Sequence, residues 1–416
     1  MRILFLTAHL PFPPFSGGRR REFELISRLG KDFEIYLCSI TKTWETDRTY
    51  ISNLVCYCAS VKLFKAVSND NKQYALYPNQ IKRHTSKEAS SYISFSLKNK
   101  LFDVVHVEGY YLMQHLPMKP DIPVILVEHN IECLLNLQRF KLATIQQDKS
   151  YYWREYVDTL KWERIFWKRA TKCVTLTTED ENNMRQLEPH INIRTIPNGI
   201  DHRKMIDEAA SSDICKNSIV GAKCPSILFV GNFLYEPNID AALYFSQLIF
   251  PLILKDVPNA KLLLIGNAPP PEICSLTLNK QIKVSGYVDS LTHFYKAADV
   301  VVCPLRIGGG VKVKVLEALN AGKAIVSTSI GAQGLDLSTY QAVTVADEVA
   351  DFAEKVVRFL LDHQERYRQE QEALAYASIL PTWDQAAEAF VQCYKEIIDC
   401  RNRYESKNKS MNNSYS

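Results

Sequence analysis

The chain has 416 residues, enough for two or three domains at roughly 150 residues each. Apolar residues make up 46% and charged residues 23%, an ordinary globular balance that excludes fibrous and disordered classes. A formal charge of +4 is too small to argue for a nucleic-acid partner, and the run Arg19 to Arg21 reads as a solvated helix face. The eleven cysteines are scattered, with no C-x-x-C pair, so neither a zinc site nor a disulfide framework is indicated and a reducing, cytoplasmic setting fits. The N-terminal apolar run has no small-residue cleavage site and reads as a first strand. No run approaches the eighteen or so apolar residues that spanning a bilayer needs, so any membrane contact is expected to be peripheral.

In chain order, Ile3 to Thr7 has a buried-strand pattern, followed by a proline-rich loop, the glycines Gly17 and Gly18, and a helix pattern through Phe23, Ile26 and Leu29. No G-x-G-x-x-G follows the strand, which weakens a dinucleotide-binding reading. Glu34 to Ile40 gives a second strand, and the polar stretch from Thr41 to Asn99 is uninformative. Two further strand runs, 102–111 and 122–130, end in polar residues. Ligands collect outside the carboxyl ends of strands in open α/β sheets, so Glu108, Glu128, His129 and Asn130 stand where chemistry is expected. His106 interrupts an apolar run and reads as a satisfied core histidine. His129 follows its run, at a loop mouth, and reads as functional.

Residues 151–172 interleave Trp153, Trp162 and Trp167 with basic residues on a helical pattern that suits a core stripe or a membrane surface. Thr178 and Glu181 have capping-box spacing, and Arg194 to Ile196 is a strand closed by the turn signal Pro197-Asn198-Gly199. Residues 201–225 are polar and mark a boundary. A second alternation then begins with strands at Ile227 to Val230, ending at Gly231, at Leu262 to Ile265 and at Ile282 to Val284. Helices are expected at 346–361 and 383–400, with a disordered tail over 403–416.

The densest stretch is the βαβ unit over 298–335. The strand Val300 to Val302 leads into Gly308, Gly309 and Gly310, then a helix pattern through Val311, Val315 and Leu319. Bare N–H groups at a helix N-terminus suit phosphate oxygens. Lys312 and Lys314 add charge that is unfavourable there unless an anion offsets it. The plainer reading makes Lys314 and Glu317 an i,i+3 surface pair. No G-x-x-x-x-G-K-[ST] is present, which disfavours a P-loop NTPase.

Together these features predict an α/β chain of two Rossmann-like domains facing a cleft, 1–198 and 199–382, with the 383–400 helix crossing back to the first. VVVCPLRIGGGVKVKVLEALNAGKAIVST, IPNGID, SGGRRREFEL and LFVGNFLYEPNIDA, in the right order over nearly the whole chain, resemble the family 4 retaining glycosyltransferases of the GT-B fold. The resemblance implies that Gly17 and Gly18 form a loop over the cleft, that His129 lies beside the transferred sugar, and that Glu317 holds the ribose hydroxyls. It places Gly310, Val311, Lys312 and Lys314 at the diphosphate and sugar, Tyr287 and Val288 beside the base, and Gly231 after the first donor-domain strand. Gly309 stands where many members carry a first glutamate, and Asn232 and Asn238 stand near their arginine and lysine, so Lys312 and Lys314 are expected to supply the positive charge.

The function implied is transfer of a sugar from a nucleotide-sugar donor to a hydroxyl of a glycan or lipid-linked acceptor, with retention, in polysaccharide or glycoconjugate biosynthesis. The expected partners are the donor and the acceptor, with no cofactor and no metal. The alternatives are a nucleotide-sugar epimerase on the same fold and a non-catalytic nucleotide-sugar-binding subunit.

Overall fold

Apolar runs buried on both faces form parallel strands, and the one-sided helix patterns between them supply the covering layers. A computed structural model describes residues 1–68, 76–201, 224–339 and 341–413, which divide into two compact units. Met1–Pro14, Gly18–Pro197 and the chain from Trp383 onward form the first; Phe15–Gly17 and Asn198–Thr382 form the second. Each is built on its own parallel sheet.

In the first unit the strands are β1 (Arg2–Thr7), β2 (Glu34–Thr41), β3 (Ser60–Lys65), β4 (Val104–Glu108), β5 (Val124–Glu128), β6 (Lys172–Thr175) and β7 (Ile193–Thr195). They lie in the order β3-β2-β1-β4-β5-β6-β7, with Ile3 opposite both Ile35 and Val104. The order reverses direction between β1 and β4. That junction opens a crevice at the carboxyl ends of the two strands. Helix α1 (Gly17–Leu29) buries Leu25, Ile26 and Leu29 against β1 and β2. Helices α2 (Glu132–Leu142) and α3 (Gln146–Arg169) form an antiparallel pair on the opposite face.

In the second unit β8 (Ser226–Val230), β9 (Lys261–Ile265), β10 (Ile282–Ser285), β11 (Val300–Cys303), β12 (Ala324–Ser327) and β13 (Thr344–Val345) lie in the order β10-β9-β8-β11-β12-β13. Here the reversal falls between β8 and β11. Helix α4 (Thr292–Ala297) precedes β11, and α5 (Val313–Asn320) follows it.

Several expectations are corrected. Arg19 and Arg21 are buried, not solvated: Arg19 donates to Leu10 O at 2.7 Å and to Asp47 at 3.0 Å, and Arg21 lies 5.5 Å from the centre of the Phe390 ring. The helix after β6 is capped by Thr177, whose Oγ1 accepts from Asp180 N at 2.9 Å, one residue earlier than the Thr178 spacing implied. Helix α6 (His363–Ile379) went unread because its apolar stripe is faint. Helix α7 (Trp383–Asn413) runs past Cys400, so the backbone over 403–413 is helical where a disordered tail was expected; the segment lacks the helix breakers Gly and Pro. The tail residues 414–416, and most of the polar boundary stretch 201–225, lie outside the described residues.

The tryptophans of α3 divide. Trp167 is in the core and Trp153 is half exposed. The helical stretch Glu236–Asp256 has a mean hydropathy of 1.2 and is by length and composition able to cross a membrane. Half of that window is buried in the unit's core, through Ala241, Phe245, Ile249 and Ile253, which is how a core helix of an α/β unit reads.

Candidate functional site

Functional candidates gather at the switch point of each sheet. In the first unit, β4 ends in Glu108 and β5 in Glu128, followed by His129, while the β1–α1 connection brings His9 and Gly18 to the same edge. A Cβ on Gly18 would stand 3.5 Å from His129 Nδ1 and 3.7 Å from His9 Cε1, which puts the Gly18 backbone beside both rings. His129 Nε2 lies 2.5 Å from Glu108 Oε2, and His106 Nε2 lies 2.7 Å from Glu108 Oε1. His106 Nδ1 in turn meets Tyr394 Oη of α7 at 2.6 Å. His106 is therefore a buried, bonded core histidine, and its ring stacks on Phe5 at 4.0 Å.

Burial by itself would push the Glu108 carboxyl up, but the charge of His129 and the hydrogen bonds of both histidines hold it well below the usual carboxylate range. Burial disfavours the charged form of His129 too, and the Glu108 carboxylate outweighs it, raising the imidazole above its ordinary value. Around this pair the polarity inverts. Burial, then the Glu108 charge, pushes Glu22 well up, and burial, then the Arg19 charge, pulls His9 down to about 3. Glu22 Oε2 and His9 Nε2, 2.9 Å apart, thus meet as a neutral acid and a neutral base.

Glu22, Glu108 and His129 each bring one ligand atom within 4.8 Å of the others. In this arrangement both Glu108 oxygens lie against histidine nitrogens, His106 Nε2 and His129 Nε2.

In the second unit the glycine loop follows β11. Gly310 has φ +61°, a left-handed conformation that L side chains rarely adopt, and Lys312 is the N-cap residue of α5. Lys312 turns its ammonium back onto the loop, donating to Gly309 O at 2.9 Å and Gly310 O at 2.6 Å. Lys314 crosses to the residues after β8: its Nζ donates to Asn238 Oδ1 at 2.7 Å and sits 4.7 Å from the centre of the Phe229 ring. Burial lowers its pKa below the ordinary lysine value. Glu317, one turn on, accepts from Tyr295 Oη of α4 at 3.1 Å. The surface-pair reading of Lys314 and Glu317 gives way, since each reaches a different buried neighbour.

Gly231 packs against the same group, where an added Cβ would stand 3.0 Å from Asn238 Cγ. Its carbonyl is approached by Gly266, whose own added Cβ would meet Gly231 O at 1.7 Å, so only glycine fits there. Gly231, Gly309, Gly310, Val311, Lys312, Lys314 and Glu317 therefore surround one strand junction. Tyr287, half exposed, and Val288, packed on the core, lie in the loop after the edge strand β10. Gly17 groups with the second unit and Gly18 with the first. Sequence reasoning missed His9, Glu22, Tyr295 and Tyr394. His9 follows its strand as His129 does, so the same rule would have found it; the two tyrosines sit within helices, where no local pattern marks them.

Two parallel-sheet α/β units, each with its polar residues at the switch point, define the GT-B class of fold. Solved structures agree. A sucrose-phosphate synthase from Thermosynechococcus elongatus matches 96% of this chain and 100% of its own at TM-score 0.72 and 15% identity. WaaG, a glycosyltransferase involved in lipopolysaccharide biosynthesis, matches 93% of this chain and 98% of its own at TM-score 0.62 and 15% identity. Anabaena HepE in complex with UDP-glucose matches 95% of this chain and 100% of its own at TM-score 0.64 and 14% identity. In sequence, residues 224–362 match the family "Glycosyl transferases group 1" and residues 53–204 match "Glycosyltransferase Family 4". The chain belongs to this family of glycosyltransferases. An uncharacterized 44.6 kDa protein in the cps region of Klebsiella pneumoniae is 22% identical over 381 residues, 86% of this chain and 90% of the relative.

Proposed function

We propose that this glycosyltransferase moves a sugar from a nucleoside-diphosphate donor to a hydroxyl of a glycan or lipid-linked acceptor, with retention, in polysaccharide or glycoconjugate biosynthesis. The observation that carries the reading is the placement of Lys314 and Glu317 beside one glycine loop, an ammonium and a carboxylate held 2.7 Å from Asn238 and 3.1 Å from Tyr295. A carboxylate suits the two ribose hydroxyls, and an ammonium next to the loop N–H groups suits the diphosphate. Lys312 serves the loop's conformation, Tyr287 and Val288 border the base, and His129 contacts the sugar from the first unit's edge.

The reading calls for no metal or resident cofactor, because Lys314 and the helix N-terminus supply the charge that a leaving diphosphate needs. HepE, whose complexes hold UDP-glucose or UDP with glucose, supports a nucleotide-sugar donor. The cps-region relative and WaaG support a role in surface-polysaccharide assembly. The described cysteines are free thiols, which suits a cytoplasmic reaction, and contact with a membrane that carries a lipid-linked acceptor would be peripheral.

The test is a thermal-shift screen of the full chain against nucleoside diphosphates. One of them at about 100 times its dissociation constant should stabilise the fold by roughly 2.7 kcal/mol. No shift with any nucleoside diphosphate or nucleotide sugar would overturn the donor assignment.

A further inference from the structure

The geometry points to Tyr394, His106 and Glu108 as a buried chain of positioning residues that holds the His129 ring in place and keeps it cationic, so that Nδ1–H, on the Gly18 side, donates to an oxygen of the transferred sugar. This rests on the reading that His129 contacts that sugar.

Tyr394 Oη to His106 Nδ1 is 2.6 Å, His106 Nε2 to Glu108 Oε1 is 2.7 Å, and Glu108 Oε2 to His129 Nε2 is 2.5 Å. An ionised carboxylate only accepts, so both Nε2 atoms must carry hydrogen. His106 lies fully buried between Phe5 and Phe390, and burial lowers its pKa, so the ring is neutral and has a single N–H. Its Nδ1 is then a lone pair, which Tyr394 must fill by donating; burial keeps that phenol protonated. Each member thus has one consistent role. Removing the tyrosine hydroxyl would leave His106 Nδ1 a buried acceptor without its donor and loosen the ring that hydrogen-bonds Glu108.

The chain holds one buried negative charge, on Glu108, which is costly unless compensated. His129 is the member at the rim, its side chain 26% exposed, and its charge is the compensation. Other groups facing the pair are Arg21 and Glu22 on α1, His9 after β1, Tyr111 after β4 and Glu132 at the start of α2. Glu22 and His9 are neutral, and Arg21, brought down by burial to about 10, stays cationic at physiological pH. Because Nε2–H is committed to Glu108, a neutral His129 would present a lone pair at Nδ1 and a cationic one presents N–H. Glu108 selects the second. A histidine in this state is a hydrogen-bond donor and not a general base.

The test follows the His129 ring nitrogens by NMR across pH in the full chain labelled with 15N, for the parent, Glu108→Gln and Tyr394→Phe, alongside kcat and donor KM. In the parent, His129 should titrate above the free-histidine value near 6.5. In Glu108→Gln the midpoint should fall by about one unit or more, and the alkaline limb of kcat should move to lower pH with it, because activity is lost as the cation deprotonates. In Tyr394→Phe, which keeps the packing, the midpoint should move the same way by a smaller amount, with donor KM unchanged. A His129 titration unaltered in Tyr394→Phe would remove Tyr394 and His106 from the chain, and one unaltered in Glu108→Gln would overturn the inference entirely. If the midpoints move as stated but His129→Ala turns over like the parent, the positioning chain stands and the sugar-contact reading falls.

Discussion

Lys314 Nζ and Asn238 Oδ1 meet at 2.7 Å, and the Asn238 amide donates in turn to Asn232 O at 2.8 Å. A cation that belongs to the helix after β11 is thus held by the first turn of the helix after β8, which ties the two strands flanking the switch point into one site. Replacing Lys314 by Gln should weaken nucleoside diphosphate by about 10 to 100-fold, the loss of a charge-assisted bond worth roughly 1.5 to 3 kcal/mol, while the free nucleoside binds almost as before. Glu317→Ala should weaken both ligands alike. Calorimetric titration of each variant with nucleoside and nucleoside diphosphate checks this; equal affinities throughout would place the donor elsewhere.

His129 occupies a different unit from those donor residues, so its loss should separate turnover from binding. His129→Ala should lower kcat by about 10² or more with nucleotide affinity nearly unchanged. Steady-state kinetics with a calorimetric donor titration decides it, and full activity in the variant would take His129 out of the site.

The strand residues of both sheets were legible because their apolar runs are buried on both faces, and β4, β5 and β8 announce their ends with a polar residue or glycine and β11 with Pro304. His129 stood out because it follows a strand, whereas Glu317, inside its helix, was singled out by the family resemblance. What joins them was not legible. The Glu108–His106–Tyr394 chain spans 288 positions between its last two members, and the Lys314–Asn238 bond spans 76, so neither leaves a local pattern. The edge strand β3 escaped because its partly exposed side chains carry no clean alternation. The two buried arginines of α1 looked like a solvated run because sequence shows charge, whereas Asp47 and the backbone carbonyls that receive them come from other segments.

Glu163 of α3 is fully buried and accepts from Glu132 N at 2.7 Å and Cys133 N at 3.2 Å, capping the start of α2. Burial outweighs those bonds and pushes its pKa from the ordinary 4.5 to about 8. The folded state therefore holds a proton that the unfolded chain releases, and the stability this adds is full below 4.5 and lost as pH rises to about 8. Glu132 and Glu128, also raised by burial, act in the same direction. Glu163→Gln should flatten the decline between pH 5 and 8 without abolishing it. Urea midpoints measured at several pH values in that window test this, and an unchanged slope would mean that Glu163 is ionised in the folded state.

Helix α7 begins after the second unit, yet Trp383, Phe390, Tyr394 and Ile397 are buried in the first, packed with Phe5, Leu25, Ile35 and Val174. The end of the chain thus completes the core on the face of the sheet that α1 also covers, and brings Tyr394 to His106. Truncation before Trp383 removes that whole layer and should leave the first unit unable to fold stably. Phe390→Ala is the milder version: a buried aromatic lost to a cavity costs about 3 to 5 kcal/mol. Removal of residues after Arg403 takes away none of the side chains named here, so its denaturation midpoint and turnover should match the parent. A shortened chain ending before Trp383 that unfolded at the parent's midpoint would show that the first unit's core is complete without the helix, and Tyr394 could then have no part in holding His106.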